Sequence, residues 1–99
     1  MIVTIDFETT GFRAGKDEVL QVSIIDEGFN TLLNAYCRPN NKDTWEDAQR
    51  VHGITPQKVK ACCPFSCYAQ AVTEILNKAD NVIAYNADIE NGFLKAYGI

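Results

Sequence analysis

The stretch Met1-Ile-Val-Thr-Ile-Asp-Phe-Glu-Thr-Thr-Gly11 alternates strictly up to Glu8 and then breaks into Thr9-Thr10-Gly11. Val3, Ile5 and Phe7 point to one side, and Ile2, Thr4, Asp6 and Glu8 to the other, which is the period of a β-strand with one wholly apolar face. Such a strand is expected in the middle of a sheet covered on its apolar side. Asp6 and Glu8 then stand about 6.5 to 7 Å apart along it. On an arbitrary edge strand a D-x-E pair is just a solvated face. Near a covered sheet, two like charges repel unless a cation lies between them, and carboxylate oxygen suits a hard divalent ion, Mg2+ or Mn2+. Gly11 permits a sharp turn beside the carboxylates. The hydroxyls and backbone N–H groups of Thr9, Thr10 and Gly11 could orient a sugar hydroxyl or phosphate there.

Working outward, Val19–Asp26 is rich in β-branched side chains, and Glu27–Asn30 supplies a turn into a third run, Thr31–Arg38, ended by Pro39. The three runs read as an antiparallel meander. Thr44 is expected to cap a short helix through Val51, which HGITP (52–56) breaks, with Thr55 as N-cap and Pro56 as first residue of another short helix. Ser66 is placed to cap a helix through Ala79, marked by Tyr68, Val72, Ile75 and Leu76 at helical spacing. Val82–Tyr85 reads as a short buried strand, and Ile89, Phe93, Leu94 and Tyr97 mark a last helix closed by Gly98. The expected fold class is α/β: a mixed sheet made of the meander and then a helix, a strand and a helix.

Ninety-nine residues form one domain at most, spanning 1–99, and 46% hydrophobic residues suffice for its core. A net charge of −4 argues against a broad basic face gripping nucleic acid, so a polynucleotide would be held by a local site. No apolar run is long enough to cross a bilayer, and strand-like sequence begins at Ile2, so a cytoplasmic location is expected. Without an export signal, Cys37, Cys62, Cys63 and Cys67 are expected as reduced thiols. CC-x3-C lacks the paired Cys-x-x-Cys spacing, which disfavours a zinc site with His52.

Tyr85-Asn86-Ala87-Asp88-Ile89-Glu90 holds a second acidic group, where a strand passes into a helix. Acids in a first turn usually just complement the helix dipole. A helix leaving a strand beside the first one could nevertheless turn Glu90 toward Asp6 and Glu8 and complete a three-carboxylate metal site. His52, the single histidine, is read as a structural residue of its turn.

DFETTG at 6–11, VHGIT at 51–55 and AYNADIENGFL at 84–94 together resemble the DnaQ-like, or DEDD, 3′-to-5′ exonucleases, which include the proofreading subunit and domains of bacterial DNA polymerase III, and ribonuclease T. The resemblance implies an RNase H-like fold and two-metal-ion hydrolysis of phosphodiester bonds at a single-stranded DNA or RNA 3′ end. It implies that Asp6 binds both Mg2+ or Mn2+ ions and Glu8 one, with Thr9, Thr10 and Gly11 beside the terminal nucleotide. Asn86 matches the asparagine of the second motif. Glu90 stands where the family usually has aspartate; its extra methylene moves the carboxylate outward, and Asp88 is the fallback ligand. For proofreading members the implied partner is a DNA polymerase. The family's third motif supplies a histidine or tyrosine base and a fourth acid, whereas no histidine follows His52 and no acid follows Glu90 here. The domain is therefore expected to be truncated on its C-terminal side, with Leu94, Tyr97 and Ile99 exposed for self-association to a homo-oligomer. A catalytically inactive module that binds nucleic acid or a partner protein is the alternative.

Overall fold

The computed structural model describes residues 1–99. Four strands, β1 (Ile2–Thr9), β2 (Val19–Asp26), β3 (Thr31–Tyr36) and β4 (Asn81–Ala84), form one sheet in the order β3-β2-β1-β4. β1, β2 and β3 are the expected antiparallel meander, and β4 joins β1 in parallel. The DFETTG strand therefore lies inside the sheet. Four helices, α1 (Glu46–His52), α2 (Pro56–Val59), α3 (Ala69–Lys78) and α4 (Ala87–Ala96), complete the chain.

The alternation read from β1 is the one the fold uses. Val3, Ile5 and Phe7 are buried with Val22 and Ile24 of β2, and Val72 of α3 and Phe93 and Leu94 of α4 close over them. Phe65 inserts between the layers, its ring edge-on to Phe7 at 5.6 Å and to Tyr97 at 4.6 Å. A smaller cluster of Leu20, Trp45, Ile54 and Val59 fastens α1 and α2 near the start of β2.

Several expected boundaries move, each for a local reason. β3 stops at Tyr36 rather than Arg38, because the Arg38 N–H turns to the carbonyl of Cys63 at 3.1 Å. α1 begins at Glu46 without a side-chain cap from Thr44: Trp45 takes the N-cap position, its ring buried and its indole N–H donating to the Ile54 carbonyl at 2.8 Å. Thr55 caps α2 as expected, its hydroxyl accepting from the Lys58 N–H at 3.2 Å. Ser66 caps nothing; Phe65–Cys67 form a 3-10 turn that drives Phe65 into the core, and α3 starts only at Ala69.

The largest correction concerns exposed apolar surface. Leu94 is buried, and Tyr97 and Ile99 are half-buried, since α4 lies on the sheet and the Tyr97 hydroxyl accepts from the Val19 N–H at 3.2 Å. β4, expected to be buried, is instead the outer strand, with Val82 46% and Ile83 53% exposed. Gly98 closes α4 with a φ of 79°, and the Ile99 N–H returns to the Leu94 carbonyl at 2.8 Å.

Candidate active site

On the face of β1 opposite the core, Asp6 pairs with Ser23 and Glu8 with Gln21, so the carboxylates stand in rows of small or neutral polar side chains. The strand ends in a cleft of about 680 Å³ bounded by α1 on one side and the β4–α4 junction on the other. Asp6, Glu8 and Glu90 all line it, as do Thr9, Thr10, Gly11 and Asn86. The pattern read from the sequence is thus brought to one place by the parallel pairing of β4 with β1. Asp88, the fallback ligand, is exposed and does not line the cleft.

Glu90 does not stand outward as its length suggested. It is 5% exposed, and its Oε2 is buried with no hydrogen-bond partner. Burial pushes its carboxyl above the ordinary value, opposed by the nearby backbone amides of Glu90, Asn86 and Phe7, while the charge of Asp6 adds to the rise. Burial likewise raises Asp6, partly offset by a hydrogen bond with Glu8. Glu8 is raised first by burial and then by the charge of Asp6. Three carboxyls in one cleft thus resist ionising together, as like charges short of water must.

The Thr-Thr-Gly turn is built differently from the sequence expectation. The Thr10 hydroxyl donates to Asp17 Oδ1 at 3.0 Å and accepts from the Glu18 N–H at 3.0 Å, so it braces the turn. Thr9 Oγ1 donates to the Gly11 carbonyl at 2.6 Å. Gly11 is needed for close approach rather than for an unusual φ: a Cβ there would lie 2.5 Å from Asp17 Oδ2. Asp17 was not singled out in the sequence, and no local pattern marks it. Its carboxylate also accepts from the Arg13 N–H at 3.0 Å, and Asp17 itself lines the cleft.

His52 does more than shape its own turn. Its Nδ1 accepts from the Ile54 N–H at 3.0 Å, which leaves the proton on Nε2, and Nε2 donates to the Thr9 carbonyl at 3.0 Å. The ring therefore ties α1 to the end of β1 beside Glu8. Those bonds occupy both ring nitrogens and leave none for the cysteines, all four of which are free thiols.

A family model described as exonuclease, of the RNase T type, matches residues 3–98. The chain belongs to this DnaQ-like exonuclease family. Solved structures of Exonuclease I share the fold of this exonuclease domain, which is RNase H-like. The complex of the Escherichia coli enzyme with a dA16 oligonucleotide superposes with a TM-score of 0.80 at 22% identity, covering 95% of this chain and 22% of that one. The product-bound form of exonuclease I gives 0.79 at 22% identity, covering 95% and 24%. The E. coli complex with a dT13 oligonucleotide gives 0.77 at 22% identity, covering 94% and 22%. The chain thus spans less than a quarter of the length of these relatives. The match does not single out the polymerase-associated members. No curated protein sequence matches the chain.

Exonucleases of this family are typically metal-dependent, and the donor chemistry of the cleft fits a divalent cation. Glu90 Oε2 is a buried oxygen without a partner, and the raised carboxyls of Asp6 and Glu8 are what an uncompensated pair of hard donors shows. The fit is one of chemistry and not of a finished cage, because no three acidic, histidine or cysteine side chains close into a ligand set. No helix is long and apolar enough to cross a membrane.

Proposed function

We propose that this chain hydrolyses phosphodiester bonds at the 3′ ends of single-stranded nucleic acid, with Mg2+ or Mn2+ held by Asp6, Glu8 and Glu90. The observation that carries this reading is that Glu90, whose buried Oε2 has no hydrogen-bond partner, lines the same cleft as Asp6 and Glu8. Bound ions would supply activation of the attacking water and stabilisation of the leaving 3′ oxygen.

The remaining residues of the cleft serve binding and orientation. The Asn86 side chain makes no capping bond at the start of α4 and is free to meet the terminal nucleotide. Phe12 and Tyr85, 80% and 98% exposed, both line the cleft and offer stacking surfaces for bases. The Thr9 carbonyl, held by His52, fixes the floor beside Glu8. Single-stranded DNA is supported as substrate by the fold shared with Exonuclease I, whose structures contain dA16 and dT13 oligonucleotides. A polymerase partner, and with it a proofreading role, rests on the sequence resemblance alone.

The test is release of nucleotides from end-labelled single-stranded DNA and RNA in manganese. Release stopped by chelator and by Asp6→Ala supports the proposal. No release at high protein concentration refutes it and favours the second reading, a module that binds without cutting. The observation behind that second reading is that the three carboxylates stop short of a closed ligand set.

A further inference from the structure

A second cleft, of about 380 Å³, lies between the chain leaving β3, the loop into α1, and α2. Arg38, Lys42 and Lys60 line it, with Asp43 as the single acid. In a chain of net charge −4 with nine lysines and arginines, a third of the cations gather in this one groove. Their backbones are held. The N–H groups of Asn40 and Asn41, on the loop that carries Lys42, donate to the Glu18 carboxylate at 2.7 and 2.8 Å. Arg38 is tied by its N–H to Cys63, and Lys60 directly follows Val59, which is 1% exposed in the smaller core. Neither Arg38 nor Lys60 makes an ion pair, so both cationic heads are available.

The groove adjoins the carboxylate cleft. Lys42 Nζ lies 3.7 Å from Oδ1 of Asp17, and Asp17 also lines the carboxylate cleft. A strand whose 3′ end sits among Asp6, Glu8 and Glu90 meets acidic walls, and its next phosphates gain only where cations replace their counterions. We infer that the Arg38–Lys42–Lys60 groove binds the phosphodiester backbone of the single strand whose 3′ end occupies the carboxylate cleft. This rests on the proposed function for the identity of the strand, and on the fixed cations for the site.

The experiment measures binding of fluorescein-labelled oligothymidylates of two and of twelve nucleotides, linked by phosphorothioates to resist hydrolysis, in magnesium and over a series of salt concentrations. In the combined variant Arg38→Gln, Lys42→Gln, Lys60→Gln, the longer oligonucleotide should bind about tenfold or more weakly, and its log K against log [salt] slope should fall in magnitude by about two, near 0.7 for each lost phosphate contact. Binding of the dinucleotide should not change, and the circular dichroism of the variant should match that of the parent chain. An unchanged twelve-nucleotide affinity and slope overturns the inference. So does an equal loss for both lengths, or a poly-glutamate peptide of equal charge that binds as tightly as the oligonucleotide. The paired variant Phe12→Ala, Tyr85→Ala separates the two readings. If it weakens both lengths, the cleft reading stands; if it weakens neither while the groove variant still acts, the cleft reading fails and the groove remains a backbone site.

Discussion

Replacing Glu90 by glutamine should stabilise the metal-free protein at neutral pH and cost it its response to divalent metal. Glu90 is 5% exposed, its Oε2 has no partner, and burial holds its carboxyl above the ordinary 4.5. An acid whose folded value is raised binds its proton more tightly in the native state than in the unfolded one. Its cost to stability is therefore absent below the unfolded value and grows as pH rises through the folded value. A buried acceptor left unsatisfied costs about 1–3 kcal/mol, and more when charged, and 1 kcal/mol moves the midpoint of a domain of this size by about 4–8 °C. In chelator at pH 7, Glu90→Gln should thus melt at least about 4 °C above the parent, and near pH 4 the two should coincide. Asp26 and Asp80, lowered by Asn30 and by the N-terminal amine, contribute equally to both proteins, so the difference between them reports this carboxyl together with its repulsion of Glu8 and Asp6. Manganese at a thousand times its dissociation constant adds about 4.1 kcal/mol to a chain that binds it, and should reverse the order at neutral pH. The assay is thermal denaturation from pH 4 to pH 8, with chelator and with manganese. A difference that stays constant across pH, or a glutamine variant that is the less stable one at pH 7 in chelator, would refute the reasoning.

Gly11→Ala places a Cβ 2.5 Å from Asp17 Oδ2, in a carboxylate held through Oδ2 by the Arg13 N–H and through Oδ1 by Thr10 and Lys42, so it should cost about 1–3 kcal/mol of stability by denaturant titration. Adding Asp17→Ala should return part of that loss; two costs that simply add would sink the close-approach account. The open edge of β4, with Val82 and Ile83 half-exposed, should make the chain self-associate in sedimentation velocity. Ile83→Lys should shift it to monomer with less than about 0.5 kcal/mol change in stability, and a parent chain that stays monomeric at high concentration overturns this.

What the sequence disclosed was what its periodicity encodes. β1 carries one apolar and one polar face, so Val3, Ile5 and Phe7 identified the core side and Asp6 and Glu8 the open side before any contact was known. Thr55-Pro56 likewise announced α2, since an N-cap hydroxyl and a proline at the first position act within one turn. Features decided by partners distant in the chain were hidden. Val82 and Ile83 form an apolar run that suits a buried strand, and only the sheet order leaves them at an edge. Asp17 looks like any loop aspartate until Gly11 comes against it. Trp45 displaced Thr44 because burying an indole that also finds a carbonyl outweighs a hydroxyl cap, and that carbonyl, of Ile54, is set by the turn after α1.

Glu90 was within reach of a stricter reading. Glu90, Phe93, Leu94 and Tyr97 follow the i, i+3, i+4, i+7 spacing of one helical face, and the first three are all buried. Glu90 therefore belongs to the inward stripe of α4, and its polarity disguised a core position. The same stripe explains how the site is assembled. Phe93 packs edge-on to Phe7 at 6.5 Å, and Phe7 is the residue between Asp6 and Glu8 on β1. Seating that pair of rings sets the turn of α4 against the strand, and one turn back along the helix Glu90 is carried to the strand that bears the other two acids. The hydrophobic effect thus does the positioning, and the carboxylates are brought together against their mutual repulsion by aromatic packing on the opposite face of the sheet. Burial raises all three carboxyls and repulsion adds to the rise of Glu8 and Glu90, so a cation is the partner whose binding would relieve both.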